Sequence, residues 1–109
     1  MSIHFLVSFN VAPPHLAMIE TVLKAGSAFL EACGSVKCTD VGSFRRRGKG
    51  KKIELCRLVA IVVEARALTV DAEALGSTLE SNMRSTMHAA AGVGQGDVRV
   101  YTGGTQEPS

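Results

Sequence analysis

Eight consecutive residues, Arg45-Arg46-Arg47-Gly48-Lys49-Gly50-Lys51-Lys52, carry six cations and no carboxylate. Charges held this close repel one another, and a polyanion relieves that repulsion best. Phosphate is the natural acceptor. The three arginines strengthen the case, because a guanidinium fork can hold a phosphate through two hydrogen bonds where an ammonium offers only a point charge. The competing reading of such a run is a solvated loop that keeps a sheet edge soluble. Arginine content tips the balance, and Arg45, Arg46, Arg47, Lys49, Lys51 and Lys52 are expected to contact RNA.

No other group of side chains makes a comparable case for chemistry. Cys33, Cys38 and Cys56, with His4, His15 or His88, have the atoms to bind zinc, but the close C-x-x-C pair of such sites is missing. Buried structural cysteines are the simpler expectation. Cys56 stands beside Arg57, yet no histidine is placed next to it to act as a base. The carboxylates Glu54, Glu64, Asp71 and Glu73 are scattered over strand faces and a helix start, without the pairing that acid-base catalysis needs. Met83 and Met87 lie one helical turn apart and suit a core. The glycines from Gly92 to Gly96 follow a helix instead of opening one, so they stop it and do not cradle phosphate. No catalytic residue, metal or cofactor is expected.

The elements that must position the basic run follow from hydrophobic period. Residues 3–11 alternate, with Ile3, Phe5, Val7, Phe9 and Val11 on one side and His4, Leu6, Ser8 and Asn10 on the other, which predicts a half-buried strand. Pro13 and Pro14 open a helix whose apolar residues keep helical spacing to Cys33, so a helix over 14–33 is expected. Residues 35–44 form a second strand and residues 53–65, rich in Val, Ile and Leu, a third. Between them, residues 45–52 form a hairpin loop marked by two glycines. Asp71 or Thr69 caps a second helix, with Glu73 in its first turn and a buried stripe of Leu75, Leu79, Met83, Met87 and Ala90 ending at Gly92. Residues 97–101 give a short fourth strand.

This order predicts an α+β protein, the ferredoxin-like βαββαβ sandwich: a four-stranded antiparallel sheet, strands one and three central, with two helices on one face. One domain over residues 1–102 is expected, with 103–109 as a flexible tail. A chain of 109 residues with 46% apolar content can supply one core without disulfides. Three cysteines, an odd number, point to a reducing compartment. The net charge of +2 is too small to attract nucleic acid by itself, so only the local concentration of charge matters. No secretory signal or membrane-length apolar run is present, so no membrane partner is expected.

The second face of the sheet should carry His4, Leu6, Ser8 and Asn10, then Cys56, Leu58, Ala60 and Val62, then Arg99 and Tyr101. Its parity is strained by Arg57, which would then point inward. A sheet that stacks bases needs aromatic rings on its central strands, and the third strand offers aliphatic ones. An open apolar face more often meets protein, so Leu6, Leu58, Val62 and Tyr101 are expected to bind a partner.

The first strand, Pro13 near the helix start, the helix closing on Ala32-Cys33-Gly34, and Phe44-Arg45-Arg46-Arg47 after the second strand resemble the small-ribosomal-subunit protein six family of bacteria and organelles. The likeness spans nearly the whole chain. It departs after the arginines, where Gly48-Lys49-Gly50-Lys51-Lys52 replaces a Leu-Ala-Tyr-Pro-like stretch. The resemblance implies a non-catalytic protein of the ribosome, in the mitochondrial matrix or bacterial cytoplasm, that binds ribosomal RNA, with Arg46 and Arg47 on its backbone, and pairs with a neighbouring small-subunit protein. The topology also resembles the PII-like signalling proteins. That likeness implies a homotrimer in which Arg45, Arg46, Arg47 and Lys49 hold the phosphates of a nucleotide or another small anion.

Overall fold

Every second residue of the first strand is apolar, and a sheet built on that strand has one side that must be covered. The computed structural model describes residues 1–11, 13–47, 53–67, 69–92 and 98–106, with the side chains of residues 13, 14, 44, 46, 47, 53–55 and 104–106 excepted. Strand β1 is Ser2–Asn10, β2 is Gly34–Arg47, β3 is Ile53–Ala65 and β4 is Val98–Gln106. Helix α1, Ile19–Ser27, is flanked by 3-10 turns at Pro13–Met18 and Ala28–Ala32, and helix α2 is Ala72–Ala91. The strands form one antiparallel sheet in the order β2-β3-β1-β4. This α+β arrangement of four strands and two helices is consistent with a ferredoxin-like fold.

The period-two pattern decides which side the helices cover. Ile3, Phe5, Val7 and Phe9 of β1 are buried, as are Val59, Ile61 and Val63 of β3. They share one core with Ile19, Val22 and Leu30 of the α1 segment and Leu79, Met83 and Met87 of α2. Burying each such side chain contributes about 1.5–3 kcal/mol relative to leaving it in water. Both helices therefore lie on the face that these residues share, packed against each other.

Helix α2 is bounded as its sequence dictates. Asp71 is its N-cap, with Oδ1 accepting from the Ala74 N–H at 3.1 Å. Gly92 closes it in the left-handed region at φ 67°, donating its N–H to the His88 carbonyl at 2.8 Å. The buried stripe is Gly76, Leu79, Met83 and Met87. Leu75 is half-buried, while Ala90 is exposed because the stripe drifts around the helix and hands the last contact to Ala91.

Four boundaries differ from the sequence expectation. The helix expected over 14–33 is α-helical only from Ile19 to Ser27. Where it ends, Ser27 donates its hydroxyl back to the Leu23 carbonyl, a bond that competes with the helical ladder, and the chain continues as a tighter 3-10 turn. Strand β2 continues past Phe44 to Arg47, so the three arginines expected in a loop are paired in a strand. Strand β4 continues to Gln106, its residues pairing back to Ser2 and Ile3, so residues 103–106 are sheet where a tail was expected. β1 begins at Ser2 and stops at Asn10, one residue earlier at each end.

The two edges of the sheet are finished differently. On β4, the Val100 N–H donates to Glu80 Oε2 at 2.8 Å, and the Val98 carbonyl accepts from Arg84 Nε at 2.8 Å. Glu80 and Arg84 lie one turn apart on α2 and pair with each other at 3.0 Å. Two side chains of the helix thus occupy edge groups that another strand would need. On β2, the register slips between Asp40 and Gly42, leaving Val41 as a bulge residue that is 57% exposed. Gly42 sits at φ 132°, a conformation that a side chain would strain, and donates its N–H to Asp40 Oδ1 at 3.2 Å.

Candidate nucleic-acid interface

The basic run owes its position to the unequal lengths of the strands. Pairing between β1 and β3 ends at Asn10–Cys56, while β2 and β3 pair on through Arg45–Leu55, Arg46–Glu54 and Arg47–Ile53. Three residue pairs therefore overhang β1 as a two-stranded ribbon. At about 3.4 Å per residue they carry it roughly 10 Å beyond the last pair of β1. Arg45 is exposed on this ribbon. Arg46 and Arg47 lie on it by backbone register, and Lys49, Lys51 and Lys52 fall outside the described residues. A guanidinium on a paired strand has a fixed base, which suits a phosphate contact better than one on an unanchored loop.

The face away from the helices is uncovered at its centre. Leu6, Leu58 and Val62 are half-buried and Tyr101 is 51% exposed. The register sets them in rows across the sheet: Lys37, Val62 and His4 in one, Thr39, Ala60, Leu6 and Tyr101 in the next, then Gly42, Leu58, Ser8 and Arg99. Leu6, Leu58, Val62 and Tyr101 are thus neighbours. Exposed Lys37 and Arg99 flank them on the two edge strands, a placement that needs the register of both edges to see.

Cys56 is fully buried although its parity places it on this same face. Cys33 is half-buried and Cys38 is exposed, so one cysteine of the three meets the expectation of a fully buried structural thiol. Among the described residues no three His, Cys, Asp or Glu side chains group as metal ligands. No helix among the described residues is long and apolar enough to cross a membrane.

Arg57 does point to the helix side, and the structure shows why the sheet accepts it there. It is half-buried and hydrogen-bonded to Asp40 of β2, forming an ion pair. That hydrogen bond holds the Asp40 carboxyl below its ordinary range, with the guanidinium charge and the Gly42 N–H adding to the effect. The pair lines one end of a groove of about 840 Å³ between α1 and the sheet, with Leu23, Val36, Cys38 and Val59 inside it. Cys38 is exposed as a residue, but partial desolvation in the groove pushes its thiol up and makes it a poorer nucleophile at neutral pH. Sequence spacing gave no signal for this groove, because it depends on how far α1 stands from β2.

No protein-family model matches the chain, and no curated protein or solved structure matches it either.

Proposed function

We propose that this chain is a non-catalytic structural protein of the small ribosomal subunit, a ferredoxin-like sandwich that holds ribosomal RNA through its basic β2–β3 ribbon. The observation that carries this reading is the overhang. Three consecutive arginines sit on paired backbone beyond the end of β1, and the sequence that follows them adds Lys49, Lys51 and Lys52. Contacts made by such a ribbon go to phosphates, so they fix the protein on folded RNA without selecting a base sequence. The open sheet face around Leu6, Leu58, Val62 and Tyr101 is the side that meets a neighbouring ribosomal protein. The setting is a ribosome of a bacterial cytoplasm or a mitochondrial matrix.

Sedimentation of a native lysate tests the assignment. Co-migration with the small subunit, lost on ribonuclease treatment or in high salt, is the expected result. A free particle of about three times the monomer mass overturns it in favour of a PII-like homotrimer that binds a nucleotide or another small anion. The ribbon itself is tested by replacing Arg45, Arg46 and Arg47 together by alanine. Folding should be unchanged, and RNA affinity should fall with a salt dependence shallower by about two to three in the log–log slope. An unchanged slope refutes the ribbon as the RNA contact.

A further inference from the structure

We infer that the groove between α1 and β2 takes an extended peptide segment of another protein, which adds to the β2 edge as a fifth strand. This binding site is separate from the ribbon and stands whether or not the ribbon binds RNA.

The first observation is the contrast between the edges. The β4 edge is occupied by Glu80 and Arg84. Along Gly34–Asp40 of β2, among the described residues, no backbone or side-chain group from outside the β2–β3 ladder bonds to the strand's main chain. The outward N–H and C=O groups of this stretch therefore form a ready template for an added strand. The Val41 bulge ends the template, so its regular length is the seven residues of Gly34–Asp40.

The second observation is independent of the first. Immediately inside that edge, on the helix side, α1 stands off the sheet and leaves the groove of about 840 Å³. Its floor takes alternate residues of β2, namely Val36, Cys38 and Asp40. A strand laid against this edge sends every second side chain to the same side, above the same groove. Main-chain bonds would supply affinity, and the groove would select the alternate side chains.

The shape of the site favours a peptide over a second copy of the chain. Two copies joined at β2 would place each α1 outside a pair of adjoining β2 strands. On the helix side the second copy would bring only its own Val36, Cys38 and Asp40 to the joined grooves, side chains too small to fill them, and an unfilled cavity against apolar residues is costly. A peptide brings large side chains of its own. Charge narrows the partner further. At the rim, Lys24 pairs with Glu20 and Arg57 with Asp40, while Glu31 has no ion-pair partner among the described residues. The segment that fits carries apolar residues at alternate positions and a lysine or arginine near Glu31, at the N-terminal end of β2.

Panning a random dodecapeptide phage library on the purified protein, then synthesising the enriched sequence, tests this directly. The expected peptide has alternating apolar residues with one cation. Its binding slows deuterium exchange across Gly34–Asp40 and shields Cys38 from iodoacetamide. Cys38→Arg, at an exposed position, should weaken binding about tenfold without unfolding the protein. Methylating the peptide's backbone nitrogens along one edge should abolish binding with the protein unaltered. No enrichment, enriched peptides that instead protect Leu6 and Tyr101, or protection of Gly34–Asp40 that grows with protein concentration alone would each overturn the proposal, the last by showing a second copy on the edge.

Discussion

The α2–β4 half of the molecule and the α1–β2 half are built from the same kinds of element and finished to different standards. Helix α2 has a side-chain N-cap at Asp71, a left-handed glycine at its C-terminus and a continuous buried stripe. Its Glu80 and Arg84 also bond to the adjacent strand edge. Helix α1 has no side-chain bond at its N-cap, gives way to 3-10 turns at both ends, and leaves a groove over β2. The Val41 bulge, the basic ribbon and the free edge all belong to this second half, although the β1–β4 ladder also shifts register between Ile3 and Phe5. Recognition surfaces accumulate where packing is incomplete, because groups already committed to the core cannot be offered to a partner.

Deleting a core side chain from each half gives the largest separation. Leu79 of α2 is fully buried in the core, and Leu79→Ala should lower unfolding free energy by about 3 kcal/mol. Leu23 faces the groove and is half-buried, so Leu23→Ala should cost about 1 kcal/mol, since little new cavity is made. Urea denaturation of both variants measures the gap. Equal losses would show that the two halves are packed alike and that the groove closes in solution.

The sequence was informative wherever one local rule decided the outcome. β3 spans 53–65 as its run of Val, Ile and Leu predicts, and α2 starts and stops at Asp71 and Gly92 as capping chemistry requires. It was less informative where distance along the sheet decided. Arg45–Arg47 look like loop because charge and flanking glycines mark a turn, yet strand pairing with Ile53–Leu55 holds them in β2. Residues 103–106 look like tail because Gly103 and Gly104 are poor strand formers, but the free side of β1 extends β4 through them. Arg57 looked like an error of parity until Asp40, seventeen residues away, supplied its partner. The groove and the blocked β4 edge depend on where helices sit over strands, which periodicity does not encode.

A smaller effect probes the edges. Replacing Glu80 by alanine removes the acceptor for the Val100 N–H and the partner of Arg84. The expected cost is about 1–2 kcal/mol by urea denaturation, as for a part-buried hydrogen bond to a charged group. Sedimentation velocity should also show association that increases with concentration, because the main-chain groups of the β4 edge near Val100 are then as open as those of the β2 edge. If the variant stays monomeric at every concentration, Glu80 contributes stability alone and the edges differ less than their hydrogen bonds suggest.

The smallest effect is electrostatic and sits in the α1–β2 half. Asp40 is exposed, so its ion pair with Arg57 is screened by water and adds little to stability. Its sign is nevertheless defined. A carboxyl whose pKa is depressed in the folded state stabilises that state above its unfolded pKa of about 3.9, and the contribution fades as pH falls through the depressed value. Asp40→Asn keeps an acceptor for the Gly42 N–H and so isolates the contact with Arg57. Thermal midpoints of the wild-type protein and this variant should differ most near neutral pH, with the wild type higher. The gap should close in acid, once the pH has fallen through the depressed folded-state pKa of Asp40. A gap that persists in acid would place the stabilisation in the turn at Gly42 instead of in the charge pair, and Arg57 would then be held at the groove by packing.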